Sequence, residues 1–168
     1  MVPTKITRHL QNSGVRFAVR PHLRAVTAQE LAAAVHVSGH RVAKSVLIEA
    51  DGQRMIAVLR AADVVDVEGL AIALGAMSVR MMPEAEFAPL FSESDVGAEP
   101  PFGSLYDLPV VVDRRLARPG PLILRAGSHE DAIELQYDEF ARLEHPVVAD
   151  FAIPAPAAAR GSEDYELY

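Results

Sequence analysis

The chain has 168 residues, half of them apolar, and a formal net charge of −7. That length builds one domain with a sizeable core and is short for two, and the absence of cysteine excludes disulfides, thiolate metal sites and a cysteine nucleophile. No apolar stretch nears the roughly 20 residues that cross a bilayer, so the sequence predicts no membrane contact and a cytoplasmic protein.

The charge is unevenly spread. Residues 1–60 carry nine Lys or Arg against Glu30, Glu49 and Asp51, a net +6, which leaves −13 for the remainder. Such a third either offers a small basic face to RNA or holds scattered, solvated arginines; the acidic remainder argues against wrapping a duplex, and DNA is not an expected partner.

In chain order, Ile6, Leu10 and the Ser13-Gly14 stop predict a short helix, and Val15–Val19 alternates as a strand does. Thr27 then caps a second helix, with Glu30 answering from the third position and Val26 placed to staple against Leu31. Val42–Glu49 and Met55–Leu59 read as strands joined at Asp51-Gly52, a pair that favours a tight hairpin. Asp66–Leu74 reads as a helix with Val67, Leu70, Ala71 and Leu74 on one stripe and Gly75 as its stop. A strand over Ser78–Met81, a helix over Pro83–Leu90 and a loop over residues 91–107 follow. Strands over 109–113, 121–125 and 132–136 and a helix over Asp138–Leu143 complete the pattern. Hairpins mixed with helices imply an α+β fold: one domain over residues 1–150, with a mixed, hairpin-containing or barrel-like sheet flanked by short helices. Residues 151–168, rich in Ala, Pro and acidic side chains, are expected to form a mobile tail.

Three segments could carry chemistry. The loop from Gly97 through Pro101 and Phe102 to Gly103 holds its own shape, as a pocket wall or as a connection stiffened by proline. Lys44 interrupts the apolar row Val42, Val46, Ile48, where an ammonium needs a partner or ligand unless its head snorkels to water. Gly127-Ser128-His129 offers N–H groups, a hydroxyl and an imidazole that suit an oxyanion or phosphate, or forms a plain hairpin turn. His36 and His40 have a metal-pair spacing, but Ser38-Gly39 breaks the helix that would align them, and no metal site is expected.

Together, His22 followed by Thr27, the strand Arg41–Val46 bearing Lys44, Gly97-x-x-x-Pro101-Phe102-Gly103, and Ala126-Gly127-Ser128-His129 resemble the YbaK/ProX family of aminoacyl-tRNA editing domains. These occur free-standing or inserted in bacterial prolyl-tRNA synthetases. The likeness spans roughly residues 15 to 145, in order and without large gaps. It implies a hydrolase that cleaves the ester between a wrong amino acid and the 3′ adenosine of tRNA. Lys44 would be its functional, catalytic lysine, and Gly97 and Pro101 would belong to the loop shaping the amino-acid pocket. His22, Thr27, Phe102, Gly103, Gly127, Ser128 and His129 would stand on the substrate side, with N–H groups near Gly127 as oxyanion donors. No metal or organic cofactor is implied. The partners implied are the 3′ acceptor end of aminoacyl-tRNA and, for some members, an aminoacyl-tRNA synthetase. Ala132 stands where family members carry an acidic residue, which favours alanine, serine or threonine over cysteine as the amino acid removed. The competing readings are a non-catalytic module binding aminoacyl-tRNA or a tRNA-like partner, and a hydrolase of another small acyl ester.

Overall fold

Ile6 and Leu10 stand one turn apart in α1 (Thr4–Asn12), and both are fully buried. The computed structural model describes residues 1–156. After α1 come β1 (Phe17–Pro21) and α2 (Ala28–Ala34), then β2 (Val42–Ala50) and β3 (Gln53–Arg60). Asp51 and Gly52 join these two strands with φ values of 48° and 85°, the paired positive values a two-residue hairpin turn needs. Next are β4 (Asp63–Val65), α3 (Val67–Leu74), β5 (Val79–Met81) and the single turn α4 (Glu84–Phe87), which continues as a 3-10 turn over Ala88–Phe91. The second half supplies β6 (Val110–Asp113), β7 (Pro121–Arg125), β8 (Asp131–Gln136), α5 (Tyr137–Glu144), β9 (Val147–Ala149) and β10 (Ala152–Pro154).

The main sheet runs β1-β8-β7-β2-β3-β6-β9, with β5 added to β2, while β10 pairs with β4. Pairs β2/β7, β3/β6 and β6/β9 are parallel and the others antiparallel, so the sheet is mixed and the class is α+β. Among the described residues no helix is long and apolar enough to cross a membrane.

Because strand side chains alternate, the sheet has two different faces. One carries Ala43, Leu47, Val58, Val112 and Leu124 into the main core against α1 and α5, where Phe102 and Phe140 are fully buried. The other face holds two smaller clusters. Val42 and Ile123 pack under Leu31 of α2, whereas Val46, Ile48 and Leu59 pack under Leu70 of α3 and Phe151. Lys44 falls between them.

Three short strands, β4, β9 and β10, are absent from the sequence-based reading; each has three residues, too few to show an alternation. One of them corrects the expected tail. Phe151 and Ala152 are buried, and their N–H groups donate to the Asp113 carboxylate at 3.0 and 2.9 Å, so the chain stays in the fold past residue 150. Residues 157–168 lie outside the described residues.

The charge asymmetry along the sequence is partly offset in space. Lys5, Arg16, Arg20 and Arg60 form ion pairs with Glu93, Glu139, Glu134 and Asp63, all contributed by the acidic remainder. Much of the N-terminal excess is therefore neutralised locally.

Candidate active site

β3 pairs along one edge of β2 from Ala43 to Ala50, and two different strands share the other edge. β7 pairs with it at Val42 and Ala43, β5 pairs with it from Ile48 to Ala50, and the Met82 N–H donates to the Leu47 carbonyl at 2.8 Å. Positions 44–47 thus face the space between two strands, and a cavity of about 650 Å³ opens there with Lys44, Ser45, Val46 and Leu47 in its lining. A volume in this range suits a small ligand. Met82, Phe87 and Val64 add apolar surface.

A second wall is the first turn of α2. The Glu30 N–H donates to the Thr27 hydroxyl at 3.0 Å, and the Glu30 carboxylate accepts from the Val26 and Thr27 N–H groups at 2.8 and 3.1 Å, which holds that carboxyl below its usual range. The capping box forms as its residues predict. Val26 is 51% exposed, however, so its side chain faces the cavity mouth more than it staples the helix. Arg125, at the end of β7, fixes this wall from behind: it is 4% exposed, and Nη1 and Nη2 donate to the Ala25 and Val26 carbonyls, each at 2.6 Å. Burial pushes the guanidinium down to about 10, which leaves it charged at neutral pH.

The third wall comes from the glycine-rich loop, through Val96, Gly97 and Glu99. That loop and the turn at residues 127–129 form one unit. The Gly127 N–H donates to the Ala98 carbonyl at 2.9 Å and the Asp95 N–H to the Gly127 carbonyl at 3.0 Å. The His129 N–H donates to the Asp95 carboxylate at 3.2 Å, and its Nε2 lies 2.9 Å from the Val96 carbonyl and so carries the proton. Gly127 has φ 76°, and a Cβ there would lie 2.8 Å from the Ser94 hydroxyl, so the turn requires glycine twice over.

The residues singled out in the sequence therefore separate into two groups. Lys44, Thr27 and Gly97 line the cavity. Pro101, Phe102 and Gly103 are buried beneath the loop: Phe102 sits in the main core, and a Cβ on Gly103 would lie 2.2 Å from the Leu108 carbonyl oxygen. Gly127, Ser128 and His129 stand behind the loop, with the Ser128 hydroxyl accepting the Glu130 N–H at 3.1 Å. His22 is tied to the same turn through its N–H, which donates to the Glu130 carbonyl at 2.9 Å. The N–H groups of Gly127 and His129 are committed within the protein, to the Ala98 carbonyl and the Asp95 carboxylate. Among the described residues no three His, Asp or Glu side chains are grouped to hold a metal ion.

Glu99 and Arg125 are the functional candidates that motif reasoning missed. Glu99 is 7% exposed, its Oε1 accepts the Gly97 N–H at 2.9 Å, and burial raises its carboxyl above the usual glutamate range, with the Glu84 charge adding to the rise. A raised carboxyl keeps its proton in the folded state after the unfolded chain has lost it. Stability is therefore expected to fall as pH rises from the ordinary value near 4.5 through the raised one, with the cost fully present above it. Urea titrations between pH 4 and 8 should show this slope and a shallower one in Glu99→Gln; Glu144, also raised by burial, retains its own share. An unchanged slope in the variant would contradict the assignment.

A family model described as the aminoacyl-tRNA editing domain matches residues 22–143. No curated protein sequence matches the chain. Among solved structures, the hypothetical protein APE2540 is similar with a TM-score of 0.80 and 21% identity over 89% of this chain and 99% of that one. A structure named as a candidate trans-editing enzyme for prolyl tRNA synthetase is similar with a TM-score of 0.75 and 20% identity, over 91% and 99%. At these identities the structural likeness establishes the fold.

Proposed function

The chain belongs to the aminoacyl-tRNA editing domain family, and from that premise we propose that it is a trans-acting hydrolase that removes a small amino acid, alanine, serine or threonine, from the 3′ end of a mischarged tRNA. One observation carries the reading: Lys44 of β2, the Thr27 turn and the Gly97 loop, remote in sequence, line a single cavity. A cavity walled by loops and floored by a strand holds a substrate end more rigidly than any one of them does alone.

The chemistry asked of the site is modest. An aminoacyl ester is already activated: a water, or the neighbouring ribose hydroxyl followed by water, attacks the carbonyl carbon, the bond to the ribose oxygen breaks, and that oxygen takes a proton. The products are a free amino acid and a tRNA with its 3′ hydroxyl restored. Lys44 brings three N–H donors and a positive charge to the cavity floor, where they stabilise the oxyanion that develops on the carbonyl or hold the terminal phosphate. Val46, Met82 and Phe87 bound the space for the side chain. Apolar contact of this kind discriminates by only about 1 to 3 kcal/mol per methylene, so two small amino acids can share the site.

The test is a panel of tRNAs charged with Ala, Ser, Thr, Cys and Pro, followed under single-turnover conditions. The related structure named for prolyl tRNA synthetase makes tRNAPro the first tRNA to use. At least one of the first three esters is expected to be hydrolysed roughly tenfold faster than the cysteinyl and prolyl esters. Saturable binding with no turnover anywhere in the panel would establish a binding module instead. Turnover indifferent to the tRNA body would establish a general acyl-ester hydrolase.

A further inference from the structure

We propose that Glu99 reads the α-ammonium of the amino acid, so that the cavity accepts α-amino esters and discriminates against the same esters lacking that charge. This assignment rests on the editing reading of the same cavity.

Glu99 lines the cavity while being 7% exposed, and its carboxylate is held in place by the Gly97 N–H at 2.9 Å. A buried carboxylate normally has a cation beside it. Among the described residues Glu99 belongs to no ion pair. Arg125, the buried cation of the adjoining wall, has both terminal nitrogens engaged by the Ala25 and Val26 carbonyls. Glu84 lines the same cavity and makes its Glu99 side more negative still. The cavity thus has a buried anionic wall with no cation in direct ion-pair contact, Arg125 and His129 acting on it only electrostatically from farther off, and a cationic residue, Lys44, elsewhere in its lining.

An aminoacyl ester fits that polarity. Its α-ammonium sits one carbon from the ester carbonyl, and the carbonyl oxygen and the phosphates lie to the other side. Placing the ammonium against Glu99 turns the carbonyl and the nucleotide toward Lys44, so one pair of opposite charges both selects the substrate and orients it. A bound cation also favours the ionised form of a carboxyl that burial otherwise drives toward its neutral form.

Two non-hydrolysable probes separate charge from shape: 3′-(L-alanylamino)-3′-deoxyadenosine and its L-lactylamino counterpart, in which a hydroxyl replaces the ammonium. By calorimetry the wild-type protein is expected to bind the alanyl compound roughly tenfold or more tightly than the lactyl one, and Glu99→Gln, which keeps an acceptor for the Gly97 N–H, to bind the two about equally. Equal affinities in the wild type, no binding of the alanyl compound, or a preference that survives in the variant would each overturn the proposal. The wild-type comparison alone decides if the variant does not fold. Single-turnover hydrolysis of alanyl- and lactyl-tRNA supplies the second arm. Equal slowing of both esters by Glu99→Gln would make Glu99 a catalytic base and overturn the ammonium assignment. A wild type that binds with the expected charge preference yet turns over neither ester would overturn the hydrolase reading and leave Glu99 as proposed.

Discussion

Lys44→Ala is expected to lower the single-turnover rate of deacylation by about tenfold or more, a loss of about 1.4 kcal/mol or more of transition-state stabilisation, in a protein that still folds. The position explains both halves of that result. Lys44 is partly exposed at the cavity floor, between the cluster under α2 and the cluster under α3, so its truncation opens no void in either. Strand pairing there is with Leu59 across the hairpin, a backbone relationship that alanine preserves. What is lost is a charged donor set in a site where a strand, a helix turn and a loop exclude bulk water from three sides, and donors in such surroundings act on developing charge more strongly than in solution. Lys44→Met keeps most of the stem and should match alanine if the charge is what matters; Lys44→Arg should recover part of the rate. A folded Lys44→Ala variant with the wild-type rate would remove the residue from the mechanism.

Much of the frame was legible in the chain because its signals are local. The capping box at Thr27 and Glu30, the Asp51-Gly52 hairpin and the left-handed stop at Gly75 each depend on residues a few positions apart, and each forms as its chemistry dictates. The unusual placement of Lys44, now seen in the cavity lining, was legible for a related reason: an alternating strand row exposes a charge that does not fit it. The site's other charged groups stayed hidden. Arg125 closes the apolar run Leu122–Leu124 and so reads as an ordinary strand end, while its partners are the carbonyls of residues a hundred positions earlier. Glu99 sits among Gly and Pro, where composition explains the loop without it, and only the folded cavity shows it as a buried carboxyl. The same limit explains why Phe102 reads as a pocket residue and proves to be core: a motif marks a segment, and the direction of each side chain within it is set by tertiary packing.

Arg125→Met is expected to cost about 3 to 5 kcal/mol of stability, the cost of breaking a buried charged interaction by removing one partner. The guanidinium is 4% exposed and ends on two carbonyl oxygens at 2.6 Å, and methionine can fill part of the volume but donates to neither. Both carbonyls would then be desolvated without a donor. Glu30 and Glu99 would lose the positive charge between them, since both act on Arg125 electrostatically. The Ala25 N–H to His129 carbonyl bond at 2.8 Å, which joins the same segment to the turn behind the glycine loop, would remain as its main tether. Arg125→Lys retains the charge but reaches one carbonyl rather than two, so an intermediate loss should follow. The effect on activity should exceed the effect of an equal destabilisation elsewhere, because Val26 to Glu30 form a wall of the cavity and a wall released by a fraction of an ångström no longer orients the ester. Urea midpoints at unchanged m-value give the stability, and the separate changes in kcat and KM give the consequence for the site; an Arg125→Met protein within about 1 kcal/mol of wild type would show that the two carbonyls find other donors.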